Sequence, residues 1–197
     1  MALEQRPIRL SYADFLKLPP ESPGELIDGE LTMTPSPIFH HQVIADRIMR
    51  HLGAYLDEHP EAGVACSAPM DVVLRADSPA IVVQPDVLFV SAAREGIIDR
   101  VVLGAPDLVV EVVSASTVRI DAIRKRDLYA EYGVEEYWLV WPDDERVDVF
   151  RGIKNGWYAG PRTLAAGENL ASPLLPGFEL AIDRIFAHRP FPGSGVS

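Results

Sequence analysis

The segment from residue 108 to 114, LVVEVVS, constrains the fold of this chain more than any other. Such a run of β-branched residues is typical of a central strand that is covered on both faces of a sheet. Residues 118–132 predict a helix, and Gly133 stands where a glycine commonly follows the last turn. Residues 136–142, EYWLVWP, predict a further strand. Together these segments predict a parallel strand–helix–strand crossover, which is right-handed in nearly all proteins.

The segments before this unit predict two helices and a hairpin. Ser11 and Asp14 form an acidic variant of a capping box, and two prolines end that short helix after about two turns. Residues 25–31, ELIDGEL, place an Asp-Gly pair between short extended arms, which is typical of a hairpin. Residues 36–59 carry apolar side chains at steps of three and four, and they therefore predict an amphipathic helix.

Further strands are predicted on both sides of the crossover. Residues 64–74 and 81–90 each read as one strand, and the polar turn RADSP separates them. After the crossover, RVDVF at residues 146–150 follows an Asp-Asp turn, and residues 151–187 carry two more apolar stretches that are expected to pack on the same core. These elements predict an α/β (α+β) fold in which helices flank a mixed central β-sheet, with an added N-terminal hairpin and C-terminal strands.

Length and composition limit the classes of protein that the chain can represent. Its 197 residues suit one domain over residues 1–187, followed by a flexible tail at residues 188–197. A lone Cys66 excludes a disulfide framework, and no apolar stretch approaches the length of a membrane span. We therefore expect a cytoplasmic protein with no membrane partner. The net charge of -11 argues against a nucleic-acid partner, because phosphate binding depends on Lys and Arg.

Glu111 is a charged residue in the middle of the most apolar predicted strand. An unpaired carboxylate in that position would cost on the order of several kcal/mol even after the structure relaxes. Two interpretations remain open at this point. The carboxylate either pairs with an Arg or faces a polar pocket, or it binds a metal ion.

Lys125 lies on the apolar side of the predicted helix that follows this strand. At 100° per residue, five apolar or aromatic side chains lie within about 60° of Lys125: Val118, Ala122, Leu128, Tyr129 and Tyr132. The tyrosines are expected to fill the core. A snorkelling Lys with an exposed head group is the alternative, but the position directly after the strand of Glu111 favours a functional Lys125.

Two Pro-Asp pairs supply a candidate partner for Glu111. Asp107 stands four residues earlier on the same strand, about 13 Å away, which is too far for both to bind one ion; we interpret it as a turn residue. Asp86 stands on a different predicted strand that could run beside Glu111, so geometry selects Asp86. Two such carboxylates form an oxygen-rich site suited to Mg²⁺ or Mn²⁺, and a nearby Lys can orient a water and offset charge. This combination is typical of phosphodiester hydrolysis.

These residues resemble the PD-(D/E)XK nuclease superfamily, which has the restriction-endonuclease-like fold. More closely, the chain resembles a large bacterial family of restriction-endonuclease-like proteins, most of them uncharacterised. The matching segments run from about residue 10 to 187 and are most specific between Pro106 and Pro142: ELIDGEL, QPDVLFV, PDLVVEVVSAST, DAIRKRDLYAEYGVEEYWLVWP and SPLLPGFEL. The resemblance implies a helix, three strands, a helix and a strand as the core of the fold.

The resemblance also implies roles for particular residues. Asp86 and Glu111 match the metal-binding acids, whereas the motif position of the Lys, two residues after the Glu, is Val113 here. Lys125 matches a family position on the following helix, so the resemblance implies that the catalytic Lys has moved there. Glu25 and His41 match further recurring positions. Glu25 is either a metal or water ligand or an exposed hairpin carboxylate, and His41 is interpreted first as a hydrogen-bonded packing residue.

The leading hypothesis is a Mg²⁺-dependent endonuclease that acts on DNA through Asp86, Glu111 and Lys125. A homodimer would supply two sites for the two strands of a duplex. Arg119, Arg124 and Arg126 lie in the basic segment RIDAIRKR and are candidate phosphate contacts on an otherwise acidic chain. The alternatives are a non-catalytic nucleic-acid-binding or assembly module with the same fold, and a metal-dependent hydrolase of smaller phosphate esters.

Overall fold

The computed structural model of the chain describes residues 9–19, 24–33, 38–113 and 119–187. The tail predicted at residues 188–197 therefore lies outside the described residues. Within the described part of the chain, two larger sheets and four α-helices surround the core, and two small hairpins pack beside them.

The larger sheet has six strands and contains the crossover unit. Its strands, in spatial order, are β13 (Arg162–Leu164), β10 (Arg146–Arg151), β9 (Glu136–Trp141), β8 (Leu108–Val112), β6 (Val87–Ser91) and β3 (Gly63–Ser67). β8 lies in the interior of this order, is parallel to β9 and is antiparallel to β6. The predicted mixed central sheet is confirmed.

A second sheet of five strands contains the N-terminal hairpin. Its strands, in spatial order, are β2 (Glu30–Met33), β1 (Gly24–Ile27), β5 (Ile81–Val83), β4 (Val72–Arg75) and β7 (Val102–Leu103). The hairpin turns at Asp28 and Gly29, whose φ angles are 55° and 72°. A two-residue turn with both φ angles positive matches the right-handed twist of the flanking strands. The predicted hairpin is confirmed.

Two of the predicted strands are each divided between the two sheets. The segment at residues 64–74 contains β3 of the larger sheet and β4 of the second sheet, and the segment at residues 81–90 contains β5 and β6 in the same way. The prediction of single strands is wrong because Pro69 and Pro85 interrupt both segments. A proline has no N–H for a ladder hydrogen bond, so the chain leaves one sheet there and enters the other.

Four α-helices are described: α1 (Tyr12–Phe15), α2 (Phe39–Glu58), α3 (Arg119–Tyr132) and α4 (Ile182–Phe186). Ser11 and Asp14 form the predicted capping box. However, α1 has one turn instead of the predicted two, because Lys17 and Leu18 donate to the carbonyls three residues before them and continue the chain as turns. None of the described helices combines the length and the hydropathy that a membrane crossing requires.

The two long helices cover opposite faces of the larger sheet. Ile44 and Leu52 of α2 pack in one cluster with Val110 of β8, while Tyr129 of α3 packs in another cluster with Val109. Side chains alternate between the two faces along a strand. Glu111 therefore follows Val109 onto the face that α3 covers.

The C-terminal part of the chain adds two hairpins. β11 (Ile153–Lys154) pairs with β12 (Trp157–Tyr158), and β14 (Asn169–Ser172) pairs with β15 (Leu175–Ala181). Leu170, Phe178 and Ile185 join the same apolar cluster as α2. The predicted C-terminal strands are present and contribute to the core.

Candidate active site

The candidate site lies where the chain passes from the second sheet into the larger one. Asp86 directly precedes β6, and Glu111 is the fourth residue of β8. Because Val87 pairs with Val110 in the antiparallel β6–β8 ladder, the same register places Asp86 across from Glu111. Opposite residues of an antiparallel pair have Cβ atoms about 5 Å apart. The two carboxylates that the sequence selected therefore lie on adjacent segments.

Glu111 accepts two side-chain hydrogen bonds on one oxygen. Its Oε1 atom lies 2.9 Å from Nζ of Lys125 and 2.7 Å from the hydroxyl oxygen of Tyr129. Burial, together with the nearby Asp86 and Glu25 carboxylates, raises the pKa of Glu111 to about 7, although Lys125 acts in the opposite direction. The site thus gathers more negative charge than one ammonium group neutralises.

Lys125 points into the protein from α3, and it lies between two carboxylates. Its Nζ atom is 2.8 Å from Oε1 of Glu25 and 2.9 Å from Oε1 of Glu111. Burial alone would lower the pKa of this ammonium group, but the two carboxylates outweigh burial, and the net direction is upward. The side chain is therefore held as a cation, and the alternative of a snorkelling Lys with an exposed head group is wrong.

Asp86 is held by the backbone and faces a histidine. Its Oδ2 atom accepts a 2.7 Å hydrogen bond from the backbone N–H of Val112, and Nε2 of His41 lies 3.2 Å from the same oxygen. Burial lowers the pKa of His41, but hydrogen bonding and attraction to Asp86 outweigh it and raise the pKa overall. His41 is thus buried on α2, as the packing interpretation expects, and it also adjoins a candidate metal ligand.

Glu25 belongs to the N-terminal hairpin and is 5% exposed. Its Oε1 atom accepts a hydrogen bond of 2.8 Å from the backbone N–H of Gln84, in addition to its ion pair with Lys125. The alternative of an exposed hairpin carboxylate is therefore wrong. The hairpin thus brings the Glu25 carboxylate to the ammonium group of Lys125.

The predicted basic edge of α3 is engaged with acids. Arg124 lies 3.6 Å from a carboxylate oxygen of Asp28, and Nε of Arg126 donates to Asp127 at 2.7 Å. The side chain of Arg119, at the first turn of α3, is outside the described part of the structure. Contact of these arginines with phosphate remains a prediction.

Asp107 is separate from the site. It directly precedes β8, as predicted, but it is buried instead of lying in an open turn. Its carboxylate accepts a 2.7 Å hydrogen bond from the backbone N–H of Ser91 and pairs with Arg94 at 3.0 Å. It therefore ties the end of β6 to the start of β8.

Sequence reasoning assigned Tyr129 only to the core. The residue is fully buried, as predicted, and yet its hydroxyl group donates to Glu111. The available signal was its spacing: Tyr129 stands four residues after Lys125, one turn along the same helix face. The contact between Gln84 and Glu25 was also not predicted, because Gln84 makes it with its backbone N–H and not with its side chain.

The chemistry of the donor set fits Mg²⁺ or Mn²⁺. Mg²⁺ is commonly bound by one or two carboxylates, with water and substrate phosphate as the other ligands. Asp86 and Glu111 are two such carboxylates, and their side chains are 15% and 13% exposed. Among the described residues, no three His, Cys, Asp or Glu side chains converge as they would in a closed protein cage. An ion held by these two carboxylates would therefore take its remaining ligands from water and substrate oxygens.

The mixed sheet, the helices on its two faces and the acidic pair beside a lysine define a protein of the restriction-endonuclease-like class. The chain belongs to the Uma2 family, which is described as "Putative restriction endonuclease", and the family model matches residues 12–183. This membership supports nuclease function in general.

The fold is also that of a solved structure. A crystal structure from Anabaena variabilis, described as "a putative nuclease", has a TM-score of 0.76 with this protein at 19% sequence identity. The match covers 90% of this chain and 97% of that chain. At this identity the likeness shows the fold alone. No curated protein matches the sequence.

Proposed function

We propose that this protein is a Mg²⁺-dependent endonuclease that hydrolyses phosphodiester bonds of DNA, with Mn²⁺ as an alternative metal. The observation that carries the proposal is the ammonium group of Lys125, 2.9 Å from Glu111, beside an Asp86 that lies across from Glu111 in the register of the strands. Membership of the Uma2 family supports a nuclease with this arrangement.

Asp86 and Glu111 would hold the metal ion. When bound, Mg²⁺ polarises a phosphate oxygen and lowers the pKa of a bound water. The backbone N–H of Val112 fixes the Asp86 carboxylate, and Tyr129 fixes that of Glu111. Both ligands are therefore oriented by the protein before any ion arrives, which lowers the cost of organising the site.

Lys125 would position the attacking water and stabilise negative charge on the phosphate. Its ammonium group has three N–H donors, and the two carboxylates that it contacts keep it charged. A fixed positive charge in a partly buried site stabilises a developing anion more strongly than the same charge in water. Removal of this group is expected to slow the chemical step more than it weakens substrate binding.

A non-catalytic nucleic-acid-binding or assembly module is the second candidate. Two observations argue against a nuclease that binds DNA tightly, and they favour the assembly role within this candidate: the net charge is -11, and Arg124 and Arg126 already pair with acidic side chains. Both observations predict weak, salt-sensitive DNA binding. They bear on affinity for DNA and leave the acidic pair with its lysine unexplained, so the nuclease remains the first candidate.

A cleavage assay separates these candidates. Purified protein is incubated with supercoiled plasmid and with single-stranded DNA in Mg²⁺ or Mn²⁺, next to the variants Glu111→Gln and Lys125→Ala. Glu30→Gln, a change of an exposed acid in the N-terminal hairpin, is the matched control. We expect the wild type and the control to cut and both site variants to lose at least 100-fold in rate, within the range for general acid–base groups. Equal background cutting by all four proteins would contradict the proposal.

The same preparation tests the homodimer. A duplex cut needs one site for each strand, so we propose that two copies of this chain act together on double-stranded DNA. Sedimentation of a catalytically inactive variant, with and without duplex DNA, measures how many copies of the chain assemble. A single copy that linearises plasmid without a nicked intermediate would contradict it.

A further inference from the structure

We propose that Glu25 is a positioning residue for Lys125, and that the β1–β2 hairpin is therefore a working part of the active site. This inference rests on the proposed function and extends it to a residue outside the acidic pair and its lysine. Glu25 would act through the lysine, as the group that keeps the ammonium aimed at the reaction centre.

The need for such a group follows from the position of the lysine on a helix. A lysine two residues after Glu111 would extend from the strand, and the backbone itself would fix its direction. In this sequence that position is Val113. Lys125 instead reaches the site from α3 on a flexible four-carbon stem. A flexible side chain needs a second contact to define the position of its charge.

The ion pair with Glu111 alone would not hold Lys125 firmly during the reaction. A metal ion on Asp86 and Glu111 would withdraw charge from the carboxylate that Lys125 now contacts at 2.9 Å. Glu25, at 2.8 Å from the same ammonium group, would keep its full negative charge. The lysine would then retain one firm ion pair while its other donors turn to water and phosphate.

Glu25 is itself rigidly held. It lies in β1 between β2 and β5, and it is 5% exposed. The Oε1 atom that contacts Lys125 also accepts the 2.8 Å hydrogen bond from the backbone N–H of Gln84, two residues before Asp86. The hairpin therefore links the lysine to the backbone segment that presents the first acidic ligand.

The geometry separates this role from that of a metal ligand. Lys125 lies between Glu25 and Glu111 and contacts Oε1 of each. Within the part of the chain that the structure describes, these acids do not converge with a third on a single point. Glu25 thus faces the ammonium group, while Asp86 lies across from Glu111.

The first test compares metal affinity with turnover. Glu25→Gln keeps the size and an acceptor oxygen but removes the charge, and Glu30→Gln is the matched control in the same hairpin. By calorimetry we expect the Kd for Mn²⁺ to change less than about twofold in both variants. In DNA cleavage, Glu25→Gln is expected to lower kcat by roughly 10- to 100-fold, the usual cost of losing an orienting partner, with KM unchanged. A loss of Mn²⁺ affinity as large as that of Glu111→Gln would overturn the positioning role.

A double variant tests whether Glu25 acts through Lys125. If it does, Glu25→Gln has almost no further effect on kcat in the Lys125→Ala background, because the group that it positions is gone. If the double variant instead loses kcat by the product of the two single losses, the proposal is overturned. Glu25→Asp, which keeps the charge and withdraws it by one methylene, is the reserve variant if Glu25→Gln does not fold, and it is expected to show the same pattern with a smaller loss.

A third readout needs no enzyme activity. Lys125 is acylated with an amine-reactive reagent without metal, and the modified peptide is quantified by mass spectrometry. We expect Glu25→Gln to increase the labelling rate of Lys125 several-fold over the wild type, and Glu30→Gln to leave it unchanged. An unchanged rate in Glu25→Gln would overturn the role of Glu25. If the wild type cuts no DNA, the proposed function fails, while this labelling still decides whether Glu25 holds Lys125.

Discussion

The hydroxyl group of Tyr129 donates a 2.7 Å hydrogen bond to the same Glu111 oxygen that Lys125 contacts. Burial raises the pKa of Tyr129 well above its ordinary value, so the hydroxyl keeps its proton and acts as the donor. The two residues stand one turn apart on α3, and together they fix one oxygen of Glu111. The helix thus supplies both a charged and a neutral donor to the acidic strand residue.

Tyr129→Phe is expected to destabilise the protein by about 1–2 kcal/mol, because a buried carboxylate loses one of its donors. The measurement is the free energy of unfolding in urea without metal. The same variant is expected to lower the cleavage rate less than Lys125→Ala does, since the ammonium group remains in place.

Tyr137→Phe is the matched control for this substitution. Tyr137 is also fully buried, and its ring lies 5.2 Å from that of Tyr129, but its hydroxyl group has no hydrogen-bond partner among the described residues. Removal of an unpaired buried hydroxyl should leave stability unchanged or raise it. Equal losses in the two variants would show that the hydrogen bond to Glu111 contributes nothing specific.

The capping box at the start of α1 makes a prediction about pH. Hydrogen bonds from the Ser11 side chain and backbone lower the pKa of Asp14 to about 2, below its ordinary value of 3.8, and Lys17 contributes in the same direction. A lowered pKa in the folded state means that the ionised form stabilises the fold. This stabilisation is fully present above pH 3.8 and is lost as the pH falls through about 2.

NMR titration of the Asp14 carboxyl measures this directly. Ser11→Ala removes the side-chain hydrogen bond to Asp14, so the pKa of Asp14 should rise toward 3.8. Lys17→Ala is the comparison variant, and it should produce a smaller rise. An unchanged pKa in Ser11→Ala would contradict the capping box.

Local pattern was enough to predict much of this architecture. The apolar run around Glu111, the helical spacing around Lys125 and the Asp-Gly turn each depend on residues close in sequence. The structure agrees with the predicted element at all three places. The periods of strands and helices are short, so a few residues suffice to specify them.

Contacts between distant segments could not be read in this way. Glu25 and Lys125 are separated by 100 residues, and nothing local in the hairpin indicates that its acid is buried against α3. The contact of His41 with Asp86 depends likewise on how α2 packs over the start of β6. Pro85 indicates that a strand ends, but nothing in the sequence indicates that the chain passes from one sheet to the other there.

A second buried acid, Glu136, supplies a test of stability away from the candidate site. It is 1% exposed and accepts from Trp138, from Arg151 at 2.7 Å and from Ser172 at 2.8 Å. These bonds join β9, β10 and the β14–β15 hairpin. Glu136→Gln should cost about 3 kcal/mol, the low end for breaking a buried ion pair, because the Arg151 side chain is 35% exposed and keeps some contact with water.

The adjacent Glu135 is exposed and provides the control. Glu135→Gln should change the free energy of unfolding by less than about 0.5 kcal/mol. Urea unfolding compares the two variants, and calorimetric Mn²⁺ titration asks whether the candidate site is preserved. Equal stability of both variants would mean that the Glu136 network adds nothing to the fold.

Metal binding to Asp86 and Glu111 predicts a change in thermal stability that requires no substrate. A ligand that binds only the folded state at 100 times its Kd stabilises that state by about 2.7 kcal/mol. Mn²⁺ should therefore raise the Tm of the wild type and of Asp46→Asn, which alters an exposed acid on α2. Asp86→Asn and Glu111→Gln should lose the shift, because each removes one of the two carboxylate ligands. The same rise in Tm for all four proteins would locate the metal elsewhere and remove the basis for a catalytic site at these strands.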